Sequence, residues 1–115
     1  MNEKERQLLQ DEVGPAEPRL VVLSKAKIDT GLWWRRTPVW LCVVGDQLVM
    51  LSVARRRFIE RVSIADCPST HYNHASGELV IEPGEDLWVS RFPMSPGNAI
   101  RLLEVINPKA LSLTL

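Results

Sequence analysis

The densest recognition chemistry in the chain is Trp33-Trp34-Arg35-Arg36, two indoles directly beside two guanidinium groups, with Lys25 and Lys27 shortly before them. Guanidinium forks match phosphate oxygens, and lysines add point charge, so these four cations can converge on a phosphorylated headgroup. Trp33 and Trp34 suit a membrane interface, where an amphipathic ring sits at headgroup level. The plainer alternative is that one indole folds back onto the core and the arginines stack on it. A second basic run, Arg55-Arg56-Arg57, could mark a single-stranded nucleic-acid surface if aromatics such as Trp40, Phe58 and Tyr72 lay beside it. Against this, the sequence pI is about 6.7, whereas nucleic-acid-binding domains of this kind run above about 9.

Other reactive residues offer less. Cys67, His71 and His74 form C-x3-H-x2-H beside Asp66, but zinc wants four converging ligands, and on a strand the two histidines would point to opposite faces. No metal site is expected. No serine or cysteine stands in a nucleophile elbow or triad setting, and no cofactor motif is present. A non-enzymatic protein without a cofactor is the expectation.

Charge is unevenly distributed. The 115 residues carry 14 basic and 14 acidic groups, yet residues 1–18 have a net charge of −3, residues 19–61 a net of +6, and residues 62–115 a net of −3. Such a split can make a positive face on a neutral molecule, or it can merely solvate strand edges. The length fits one domain. The longest apolar runs fall far short of the roughly 20 residues a spanning helix needs. The charged opening MNEKERQLLQDEV has no signal-type apolar region. Two cysteines in no redox spacing fit a reducing compartment. Cytoplasmic localisation is therefore expected.

The elements that would position these groups are mostly strands. Leu20 to Ile28 alternates, with Leu20, Val22, Ser24, Ala26 and Ile28 inward and the lysines outward. Residues 29–37 form a loop. Val39–Val53 is then a hairpin turning on Gly45-Asp46. Phe58 to Ile64 makes a fourth strand, with Phe58, Val62 and Ile64 on one face; 69–74, 79–81 and 87–92 supply three more. Ser95 as N-cap, Pro96 in the first turn and Asn107-Pro108 as a stop bound one helix, whose buried stripe is Ala99, Leu102, Leu103 and Ile106. Residues 2–13 can form a short helix on an arm ended by the linker Gly14–Pro18, and residues 108–115 are a tail able to add an edge strand.

Seven short antiparallel strands closed by one C-terminal amphipathic helix resemble the pleckstrin-homology-like domains. The resemblance covers residues 19–107. Within it WLCVVGDQLVML (40–51) looks like the second hairpin, IERVSIA (59–65) like the fourth strand, residues 78–92 like the last hairpin, and residues 99–106 like the capping helix. That helix lacks the tryptophan of eukaryotic members, so the likeness is to small bacterial or GRAM-like relatives. It implies a mainly β barrel or sandwich and, for members that bind inositol phosphates, a basic residue on strand 1 and a basic pair on strand 2. Lys25 or Lys27 and Arg35-Arg36 would fill those places, with the two arginines adjacent instead of spaced.

The hairpin raises a separate expectation, since both its faces are apolar. A half-exposed sheet should alternate apolar and polar residues. Trp40, Cys42, Val44, Leu48 and Met50 are therefore read as an interface covered by the N-terminal arm, a protein partner or a second copy. Three functions are expected in order: a protein-contact or self-association module, a binder of anionic lipid headgroups through 25–36, and a binder of single-stranded nucleic acid.

Overall fold

A computed structural model describes residues 1–32 and 34–112, the Ser112 side chain apart. Trp33 and the tail leucines Leu113 and Leu115 lie outside the described residues. The elements are α1 (Glu3–Val13), β1 (Leu20–Ile28), β2 (Thr37–Val44), β3 (Gln47–Val53), β4 (Arg57–Ser63), a single 3-10 turn (Ile64–Asp66), β5 (His71–Asn73), β6 (Glu78–Val80), β7 (Arg91–Pro93), α2 (Pro96–Ile106) and α3 (Lys109–Ser112). Strands β1-β2-β3-β4 form one antiparallel sheet and β5-β6-β7 another. The mainly β expectation holds, but the two sheets are separate ladders and no closed barrel forms. The short helix expected within residues 2–13 forms as α1, and α3 adds a helix that was not expected.

The β2–β3 hairpin shows how local chemistry sets register. Gly45 has φ of 58° while Asp46 stays at negative φ, the pattern of a type II′ turn, in which only the first central residue needs glycine. The two-residue turn pairs Trp40 with Leu51, Leu41 with Met50, Cys42 with Val49 and Val43 with Leu48. Directly paired residues share a face. Leu41, Val43, Leu48 and Met50 therefore face one way, and Cys42, Val44, Val49 and Leu51 the other. This corrects the expected grouping: Leu48 and Met50 do not share a face with Trp40, Cys42 and Val44.

The first face meets the second sheet and α2. Leu41, Leu48, Met50, Leu79, Phe92 and Leu102 are wholly buried in this main core. Helix α2 begins where expected, with the Ser95 hydroxyl accepting the Asn98 amide at 3.3 Å and Pro96 in the first turn. Its stripe, Ala99, Leu102, Leu103 and Ile106, is buried throughout. Past α2, the Asn107 side-chain amide donates to the Thr70 carbonyl at 2.8 Å and ties the helix end beside β5.

The second face is covered by the arm. Asn2 and Glu5 form a reciprocal capping box, the Asn2 side chain accepting the Glu5 amide at 2.9 Å and the Glu5 carboxylate accepting the Asn2 amide at 2.8 Å. Gly14, at φ of 91°, ends the helix. Leu8 and Leu9 pack on Cys42, Val44, Val49 and Leu51 as a second, smaller core. A helix of this length is marginal alone, so the docking sustains it.

The last strands differ from expectation. Residues 87–89 are not a strand, and β7 begins only at Arg91. The cause is Glu60. Its carboxylate accepts the backbone amides of Trp88 (2.7 and 2.9 Å) and Val89 (3.2 Å), taking the place of a ladder partner. The seven-strand expectation is thus met in part, by four strands and three, with a much shorter last strand. Residues 109–112 form a helical turn after Pro108 where an edge strand was considered. Among the described residues no helix is long and apolar enough to cross a membrane.

Burial also raises the Cys42 thiol pKa from 9.0 to about 12. Because the folded value lies above the unfolded one, its contribution to stability is complete below pH 9 and is lost as pH rises toward 12. Urea unfolding should show stability falling through that window and falling less steeply in Cys42→Ala. Equal slopes would refute the assignment.

Candidate functional site

Two loops far apart in sequence are fastened together at one end of the four-stranded sheet. Asp29 accepts the Gly31 amide at 2.9 Å, closing a turn at the start of the β1–β2 loop. The Thr30 carbonyl then accepts the Arg56 amide at 2.6 Å, joining that loop to the β3–β4 turn. Gly31 stands at φ of 92°, and a Cβ placed there would lie 3.0 Å from Arg55 Cβ and 3.4 Å from Arg56 Cγ. Both backbone conformation and close approach therefore call for glycine.

Beneath the joint runs a chain of buried hydroxyls. Thr30 Oγ1 lies 2.7 Å from Thr37 Oγ1, which lies 2.7 Å from Ser52 Oγ, and Ser52 donates to the Pro38 carbonyl at 2.9 Å. Each hydroxyl has one hydrogen. With Ser52 committed to Pro38, the direction is Thr30 to Thr37 to Ser52 to carbonyl. The Ile28 carbonyl, 3.4 Å from Thr37 Oγ1, competes weakly for the same hydrogen. The root of the loop is thereby pinned to β2 and β3.

This framework makes a hollow of about 400 Å³ lined by Asp29, Gly31, Leu32, Trp34, Arg35, Arg36 and Arg56. Trp34 is 59% exposed. Among the described residues Arg35, Arg36, Arg55, Arg56 and Arg57 form no ion pair, although Arg61 pairs with Glu12 at 3.5 Å and Arg91 with Glu78 at 3.3 Å. Four guanidinium groups on two joined loops, with Arg57 at the start of β4 and Asp29 the one acid among the described lining residues, make this end a positive field suited to planar, bidentate recognition of phosphate or carboxylate.

The expected site residues thus fall into three groups. Trp34, Arg35 and Arg36 are in the hollow, joined there by Arg56 from the run that suggested nucleic acid. Lys25 and Lys27 are exposed on β1 outside it, Lys27 opposite Pro38 at the loop end and Lys25 within a register slip between Leu23 and Lys27. The expected interface is split: Cys42 and Val44 are buried beneath α1 with Trp40 packed at their margin, whereas Leu48 and Met50 belong to the main core. Around Cys67, among the described residues, no three potential metal ligands come together. The Cys67 thiol contacts the Ile64 carbonyl at 3.5 Å, burial raising its pKa, and His74 lies edge-on to Tyr72 at 4.9 Å.

One surface feature escaped the sequence reading. Glu60 pairs with Met50 and so stands on the inward face of β4 between Phe58 and Val62. A carboxylate at an inward position signals a dedicated partner, here the 88–89 amides, and the clamp presents Trp88 at 79% exposure.

If the joint positions the arginines, Thr37→Val should cost about 1–3 kcal/mol by stranding Thr30 and Ser52, measured by urea unfolding. Gly31→Ala should in addition perturb the amide resonances of Arg55 and Arg56. Unchanged resonances there would show that the close approach is unimportant.

No family model matches the chain, and no curated protein or solved structure does either, so its function is argued from its own residues.

Proposed function

We propose that the chain is a non-enzymatic, cytoplasmic binding module of pleckstrin-homology-like type whose arginine-lined end receives phosphorylated lipid headgroups at a membrane surface. The observation that carries this is the meeting of Arg35 and Arg36 with Arg56, which form no ion pair among the described residues, around an exposed Trp34. The four- and three-stranded antiparallel sheets with α2 in their common core support the fold assignment. Two unpaired, buried cysteines suit a reducing compartment. In this reading the guanidinium forks hold phosphate oxygens, Trp34 enters the interfacial layer, and Lys25 and Lys27 add attraction from the flank.

Co-sedimentation with vesicles containing phosphatidylserine or a phosphoinositide should show binding that weakens as salt rises. In Arg35→Ala/Arg36→Ala it should fall by about tenfold or more, since each lost charge-assisted hydrogen bond is worth roughly 1.5–3 kcal/mol. Absence of binding at low salt sinks the proposal. Retention of single-stranded DNA under the same conditions, with no vesicle binding, would move the site to nucleic acid.

A second reading is protein contact or self-association, and it is favoured by Trp88. An indole held 79% exposed on a tethered loop is the kind of anchor that dominates interfaces. Sedimentation equilibrium should then show a concentration-dependent oligomer that Trp88→Ala dissolves. A monomer at every concentration eliminates self-association through this residue.

A further inference from the structure

The two ends of α1 are held differently. At its C-terminal end Arg61 binds Glu12 twice, through the carbonyl at 3.2 Å and the carboxylate at 3.5 Å. At its N-terminal end, among the described residues, the polar contact with the sheet is a thiol–thioether approach, Cys42 Sγ to Met1 Sδ at 3.7 Å. There Lys4 instead faces Arg55 and Arg57 across a hollow of about 300 Å³ floored by Leu8, Val53 and Ala54.

That arrangement is electrostatically unfavourable as it stands. Like charges are gathered without an ion pair, and Lys4 sits in the first helical turn, where the helix dipole favours anions. Among the acids of α1, Glu5 caps Asn2, Asp11 accepts from Gln7 at 2.8 Å, and Glu3 forms no ion pair with Lys4 among the described residues. The bend at residues 54–56 separates this hollow from the first one. Arg56 lines the β1–β2 side, while Arg55 and Arg57 line the α1 side.

We propose that the hollow between α1 and the β3–β4 turn is a second anion site, taking a phosphate-type group, and that its occupation fastens the N-terminal end of α1 over the sheet. The bound oxygens bridge Lys4 to Arg55 and Arg57, supplying the tie that Arg61 supplies at the other end. The site does not depend on what the first hollow binds. Cys42, buried under α1, reports on closure because a thiol reagent reaches it only when the helix lifts.

The test is maleimide labelling of the full chain, with peptide mass spectrometry resolving Cys42 from Cys67, the latter reporting global opening. Inorganic phosphate, against chloride at matched ionic strength, should slow Cys42 labelling by the factor 1 + [phosphate]/Kd, about tenfold at roughly nine times Kd. Cys67 labelling should change less. The effect should be lost in Lys4→Gln, an exposed helix position that tolerates the change, and kept in Arg35→Ala/Arg36→Ala. If only vesicles bearing phosphatidic acid slow labelling, and phosphatidylcholine vesicles do not, the phosphate is a membrane headgroup. No slowing by either probe overturns the proposal. So does slowing that survives Lys4→Gln, or slowing lost in the Arg35/Arg36 variant, which would assign the phosphate to the first hollow.

Discussion

Strands β2 and β3 carry apolar side chains on both faces, and each layer of the molecule keeps one of those faces dry. Cys42, Val43, Leu48, Val49, Met50 and Leu51 are all wholly buried, although they alternate between opposite sides of one sheet. Burying such side chains is worth roughly 1.5–3 kcal/mol each for the larger ones, so a bare face would be a heavy penalty. The small sheet and α2 cover one side and α1 the other. The arm is therefore a structural layer, and the linker that joins it to β1 passes the β2–β3 turn, where Ala16 shares a hollow with Val44–Gln47.

The same hairpin sets the functional end. Its β2 strand begins at Thr37, whose hydroxyl links the loop before it to Ser52 near the end of β3. The loops at this end inherit a fixed spacing from a buried polar chain, and their arginines inherit it in turn. At the sheet edge Glu60 does comparable work, since one carboxylate organises two amides that the ladder leaves unpaired.

What could be read from residues alone followed the range of the interaction involved. Helix α2 was legible because its cap, proline and stripe all lie within one short segment, whereas the equally local Asn2–Glu5 box of α1 went unread. The face assignment of Leu48 and Met50 failed although the two-residue turn already implied it: positions summing to 91 pair, so an even residue on β2 shares its face with an odd one on β3. The meeting of Arg35 and Arg36 with Arg56 was not legible. It depends on a hydrogen bond between Thr30 and Arg56, residues whose proximity is decided only by the sheet between them. The loss of a strand at Leu87–Val89 was hidden for the same reason, because β-rich composition there was outweighed by a carboxylate from β4.

The shortness of the segment between Val13 and Leu20 has a consequence for competition. A helix tied this closely meets its own groove at an effective concentration on the order of millimolar. A free helix of equal intrinsic affinity at micromolar concentration would occupy the face in only about one molecule in a thousand. Strangers to this surface are thus excluded by connectivity as much as by fit, and a competitor must gain about 4 kcal/mol in contacts before it can win.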